Sequence, residues 1–124
     1  MIKVIISSIA LSLLICSYEV MDIQTGKASF YNDTFHGCKT ASGDLYNTKE
    51  YTAAHREYPF GSMVRVTNLK NKKTVIVEIN DRGPHSRGRI IDLSKAAALE
   101  LDMVDDGIVK TKIELLGEIS RCRD

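Results

Sequence analysis

Apolar and polar positions alternate with a period of two over several short stretches of this chain, the signature of half-buried strands. Met63-Val64-Arg65-Val66-Thr67 alternates in this way and is followed by the polar run Asn68-Leu69-Lys70-Asn71-Lys72 and then by an apolar run over residues 74–79. Together they predict a hairpin with a polar loop of several residues. Val109, Thr111, Ile113 and Leu115 alternate with Lys110, Lys112 and Glu114, which predicts a strand with one wet face. Residues 27–31 and 51–55 read as two further strands. A single segment reads as helix: Ser94 is a good N-cap, and Lys95-Ala96-Ala97-Ala98-Leu99-Glu100-Leu101 is rich in helix formers. Many short strands with one small helix predict an all-β fold, a closed or nearly closed β-barrel.

The start of the chain follows different rules. A short basic start precedes an apolar run over residues 4–15 that is broken only by small Ser and Ala. Such a run is too short to span a membrane and has the shape of a secretory signal, so residues 1–17 are set aside from the fold. Cys16 directly follows the apolar core, where lipoprotein signals place the cysteine that becomes lipidated. Ile15 departs from the small residue usual before that cysteine, and cleavage after Ser17 by an ordinary signal peptidase is the alternative. Residues 18–25 read as a short tether and residues 26–124 as one domain, enough for one modest core. With Cys16 removed or lipidated, Cys38 and Cys122 are an even pair in an exported chain, which predicts a disulfide.

A formal net charge of +1 leaves no polyelectrolyte footprint, so nucleic acid is not an expected partner. His36, His55 and His85 show none of the spacings that hold zinc, and no nucleophile elbow or catalytic-cysteine motif is present. The expectation is therefore a monomer with no metal and no cofactor.

Carboxylates and aromatics carry the remaining chemistry. The run over residues 74–79 delivers the chain to Asp81 and stops at Gly83-Pro84, which puts Asp81 at a strand end facing a loop. A catalytic group can be mounted there, and so can a carboxylate that only caps its own turn. The glycine-punctuated loop from Phe35 to Tyr46 holds His36, Asp44 and two aromatics, the kit for binding a sugar, although Phe35 and Tyr46 could simply close the barrel mouth. His55 follows the small residues Thr52-Ala53-Ala54, and the competing reading is a satisfied structural histidine. Asp92, two residues before Ser94, is read as structural.

Taken in order, Gly26-Lys-Ala-Ser-Phe-Tyr31, His36-Gly37, Thr40-Ala-Ser-Gly-Asp44, Thr52-Ala-Ala-His55, Val64-Arg-Val-Thr-Asn-Leu69, Asn80-Asp-Arg-Gly-Pro84 and Gly88-Arg-Ile-Ile-Asp-Leu-Ser94 resemble the rare lipoprotein A (RlpA) family. The resemblance implies a six-stranded double-psi β-barrel, the fold shared with expansins and barwin-like domains. It also implies an exported bacterial protein of the cell envelope, periplasmic or membrane-anchored, that cleaves peptidoglycan glycan strands as a lytic transglycosylase and prefers strands stripped of their peptides. Carried over, the family's catalytic aspartate falls on Asp81, its histidine on His55 and its acidic loop residue on Asp44. That last position is usually Glu, and Asp44 is one methylene shorter. Phe35, His36 and Tyr46 are the expected groove residues. The rival expectation is a non-catalytic glycan-binding or wall-loosening module of the expansin kind.

Overall fold

Six strands close on one another in the order β1–β5–β2–β4–β3–β6. In the computed structural model, which describes residues 18–118, these are β1 (Tyr18–Phe30), β2 (Thr52–Ala54), β3 (Met63–Asn68), β4 (Thr74–Asp81), β5 (Arg89–Leu93) and β6 (Val109–Glu118), with one helix, α1 (Lys95–Glu100), before β6. Residues 1–17, read as a signal segment and including Cys16, and Cys122 lie outside the described residues.

The predicted hairpin is β3 and β4, paired antiparallel from Met63 with Glu78 to Thr67 with Thr74. Their alternation is the burial pattern: Val64, Val66, Val75, Val77 and Ile79 point into the barrel, while Arg65, Ile76 and Glu78 stay outside. Buried Asn68 shapes the turn. Its amide donates to the Leu101 carbonyl at 3.0 Å, and its side-chain oxygen accepts from the Lys70 N–H at 3.0 Å. In β6, Val109, Thr111 and Ile113 face inward as the alternation predicts, and partly buried Leu115 packs against the same core opposite Val64.

β1 differs most from expectation. Residues 18–25, read as a tether, are the first part of the strand and pair with β6 from Tyr18 with Glu118 onward. Backbone pairing holds this ribbon. Because its side chains are mostly exposed, no apolar face imprints a period of two on the sequence. The strand also ends at Phe30, leaving Tyr31 just past it, and β2 is only the small buried residues Thr52–Ala54.

Two parallel pairings, β1 with β5 and β2 with β4, interlock distant parts of the chain. β1 comes close enough to β5 that a Cβ on Gly26 would lie 2.7 Å from Cγ2 of Ile90, so only glycine fits there. Ser94 caps α1 by accepting from the Ala97 N–H at 3.3 Å, and Ala97 and Ala98 bury the helix on the core with Leu101 and Met103. Function enters through register. Ala54 of β2 sits opposite Asp81 of β4 on one side and Asp92 of β5 on the other, and Asp92 in turn sits opposite Ser29 of β1. This end of the barrel gathers the polar ends of its strands into one row.

Candidate active site

Asp81 ends β4, half-buried, and its two carboxylate oxygens have different partners. Oδ1 accepts from the backbone N–H groups of Ala41 and Arg82, each at 2.9 Å. Oδ2 accepts from the Tyr31 hydroxyl at 2.6 Å. One oxygen thus caps the turn and the other meets a side-chain hydroxyl. The loop that supplies Ala41 is fastened to the same strand, since the Ser42 N–H donates to the Asn80 carbonyl at 3.1 Å. Burial first, and then the hydrogen bond to Asp81, pushes the Tyr31 hydroxyl well above its ordinary titration range, so it stays a neutral donor.

Around Asp81 lies a cleft of about 290 Å³ lined by Tyr31, Phe35, Cys38, Lys39, Thr40 and Tyr46. The long loop that forms it is folded. Asn32 caps a short 3-10 turn, Asp33–Phe35, by accepting from the Thr34 N–H at 3.0 Å. The Tyr46 N–H donates to the Cys38 carbonyl at 2.8 Å, and the Gly37 N–H donates to the Tyr46 carbonyl at 2.8 Å, a small hairpin that turns at Gly43 with φ +97°. Tyr46 is buried and packs edge-on to Tyr31 with ring centroids 4.8 Å apart, while Phe35 is 52% exposed and free to stack on a ligand. Exposed aromatic surface beside a carboxylate and a lysine suits a sugar ring, with apolar faces to cover and hydroxyls to fix.

The structure brings Asp81, Phe35 and Tyr46 together in this cleft. His36 lies in a neighbouring depression with Asp33, Thr48, Lys49 and Lys95, where its Nδ1 accepts from the Thr48 N–H at 3.2 Å. Asp44 sits exposed on the loop. Its backbone carbonyl accepts from the Thr40 N–H at 2.7 Å, and its carboxylate makes no hydrogen bond or ion pair among the described residues. Cys38 is exposed in the cleft wall.

His55 is buried, and both ring nitrogens are engaged away from Asp81. Nδ1 accepts from the N–H groups of Glu57 and Tyr58 at 3.1 and 3.0 Å, which leaves the proton on Nε2 to meet Gln24 Oε1 at 3.1 Å. The ring stacks on Tyr58 at 3.7 Å, and burial pushes its pKa down. The link to Asp81 runs through the backbone: the His55 N–H donates to the Asp81 carbonyl at 3.2 Å. Arg82 strengthens that corner by donating to the carbonyls of His55 and Tyr58 at 3.2 and 2.8 Å while its guanidinium covers Phe60.

Sequence reasoning missed Tyr31, Arg82 and the partners of Asp92, which was read as structural. Asp92 accepts from the Ser29 hydroxyl and lies 3.9 Å from the Arg89 guanidinium, which also donates to Ser29 at 2.9 Å. Two residues apart, Ser29 in β1 and Tyr31 just past its end reach the two neighbouring carboxylates. The signal was there in outline, since a hydroxyl at each of two alternate positions near a strand end marks one polar face.

A profile described as lytic transglycolase matches residues 23–113. The chain belongs to that family. Among relatives of this chain, a protein named endolytic peptidoglycan transglycosylase RlpA from Pasteurella multocida is 55% identical over 91 residues, covering 73% of this chain and 31% of the relative. One of the same name from Neisseria meningitidis is 55% identical and covers 73% and 38%. The chain thus spans about a third of the length of these curated relatives. Solved structures with the same fold include a Streptomyces papain inhibitor, with TM-score 0.63 and 25% identity over 80% of this chain and 98% of that one. An expansin of Clavibacter michiganensis gives TM-score 0.64 and 19% identity over 80% and 52%. The resemblance read from the ordered motifs holds, and the barrel is the double-psi β-barrel it implied.

Proposed function

We propose that this protein cleaves the glycan strands of peptidoglycan as a lytic transglycosylase, with Asp81 giving a proton and then taking one back. One observation carries the reading: the half-buried Asp81 carboxylate lies in an open, aromatic-lined cleft with Oδ1 held by backbone and Oδ2 held only by a hydroxyl. The names of relatives 55% identical across the barrel point the same way. In the reaction, the Asp81 proton goes to the glycosidic oxygen as the C1–O bond breaks. The sugar's own hydroxymethyl oxygen then closes on C1 and returns its proton to Asp81, leaving an anhydro end. The acid becomes the base, so no second group is needed to activate water.

Asp44, exposed and unpaired on the loop, acts on the substrate, and His55 acts by holding the corner that carries Asp81. Phe35 and Tyr46 form the sugar platform, and His36 touches a neighbouring sugar from its own depression. The preferred substrate is strands without peptides. Such a substrate fits a location in the cell envelope, and the reading extends to an exported monomer with a lipid at Cys16 as its membrane attachment and a Cys38–Cys122 disulfide closing the domain. Replacing Cys16 with Ser should then release the protein into the soluble exported fraction, and intact mass before and after alkylation should show no free thiol at Cys38. The deciding experiment is mass spectrometry of products from peptidoglycan digested with wild type and Asp81→Asn. Anhydro-ended fragments from the first alone support cleavage, reducing ends indicate hydrolysis, and binding without release is the expansin-like outcome.

A further inference from the structure

We propose that the Tyr31 hydroxyl is the positioning group that decides which oxygen of Asp81 carries the catalytic proton. The inference rests on the glycan-cleavage reading and deepens it. Oδ1 accepts from two backbone N–H groups, of Ala41 and Arg82, each at 2.9 Å. A backbone N–H cannot turn round to accept, so a proton on Oδ1 would compete with two donors and break at least one of these bonds. Oδ2 has a different partner, a hydroxyl at 2.6 Å that can rotate. Tyr31 donates to Oδ2 when Asp81 is ionised and accepts from Oδ2 when Asp81 is protonated.

This makes Oδ2 the working oxygen through both steps. Its proton passes to the glycosidic oxygen as that oxygen keeps the electron pair of the broken C1–O bond, and Tyr31 turns to donate to the carboxylate left behind. The hydroxymethyl oxygen then bonds to C1, its proton returns to Oδ2, and Tyr31 turns back. No water or co-reactant is consumed. The pivot is rigid, because the Tyr31 ring is held against Tyr46 at 4.8 Å and Phe35 at 6.1 Å while only the hydroxyl moves.

The charged and titratable groups around the pair come from each neighbouring element. Asp92 on β5 is held by Ser29 and Arg89, Lys39 and Tyr46 share the cleft, and the Arg82 guanidinium is committed to the carbonyls of His55 and Tyr58. Tyr31→Phe leaves all of them in place and removes one hydroxyl. A shift in pH response in that variant therefore reports the Tyr31–Asp81 contact.

The test measures anhydro-end release from purified peptide-free glycan strands against pH, with a melting curve for each protein. Tyr31→Phe should lower kcat by on the order of tenfold, the worth of a hydrogen bond to a charged group, and change KM by less than about twofold. Losing a donor that favours the carboxylate should also move the alkaline limb of its kcat profile to higher pH. In an Asp81→Asn background the same change should add no further loss. Should Tyr31→Phe melt early, 3,5-difluorotyrosine placed at position 31 keeps the packing, donates more strongly and should move the limb to lower pH. A folded Tyr31→Phe with wild-type kcat and an unmoved limb would overturn the assignment, as would losses that add to those of Asp81→Asn. Wild type that releases no anhydro ends would instead overturn the cleavage reading itself, and the Tyr31 role with it.

Discussion

Gln24 Oε1 and His55 Nε2 meet at 3.1 Å, and through this contact the entry ribbon of β1 grips the corner that carries Asp81. With Nδ1 accepting two backbone N–H groups, the folded protein holds His55 neutral, and burial lowers its pKa. The unfolded chain therefore binds the proton more readily, so stability is fully present above the ordinary imidazole value of about 6.5 and declines as pH falls below it. Thermal melts at matched ionic strength should show a steeper fall between pH 7 and pH 5 for wild type than for His55→Asn. Parallel slopes would show that His55 contributes nothing to the acid response.

Asp81→Asn separates the two duties of that side chain. The amide oxygen can keep the Ala41 and Arg82 N–H bonds, and its NH2 can donate to the Tyr31 oxygen, so folding and glycan binding should survive. Release of anhydro ends should fall by on the order of a hundredfold or more, the usual worth of a lost general acid. An active but destabilised variant would return Asp81 to turn capping alone.

Tyr46 has a structural duty at its tip, since its hydroxyl accepts from the Lys95 N–H at 3.0 Å and so fastens the cleft loop to the start of α1. Tyr46→Phe keeps the ring against Tyr31 and leaves that N–H without its partner. Urea titration should show a loss of about 1 kcal/mol. A variant as stable as wild type would mean that solvent replaces the bond at no cost.

At Gly26 the strands are too close for a side chain, with Cγ2 of Ile90 2.7 Å from where a Cβ would sit. Gly26→Ala should destabilise the barrel by about 1–3 kcal/mol through overpacking. Adding Ile90→Ala removes the clashing atom and should recover part of the loss in a double-mutant cycle. Independent, additive losses would place the strain elsewhere.

What could be read from the sequence followed the range of the forces involved. The β3–β4 hairpin and α1 are local, and the alternation of Val64 and Val66 or the cap at Ser94 announces them without reference to the rest of the chain. Asp81 was legible for the same reason, a strand stopped by Gly83-Pro84. The first part of β1 was not, because its stability comes from pairing with β6 some ninety residues away (Ile23 with Glu114, for example) and its exposed side chains carry no alternation. Tyr31 escaped notice because its importance is a contact with Asp81 across a sequence separation of 50 residues. His55 was visible as a motif residue, but its partners, Gln24 and two backbone N–H groups, were not.

The ribbon formed by β1 with β6 leaves no slack at the front of the barrel. At about 3.3 Å per residue, residues 18–25 span roughly 26 Å, and they do so as a paired, stiff arm. A loose leash would let the cleft take every orientation relative to residue 18. A stiff arm instead transmits angle as well as distance, so residue 18 and the cleft keep a set separation and a set heading, and lengthening the arm would move the cleft in steps.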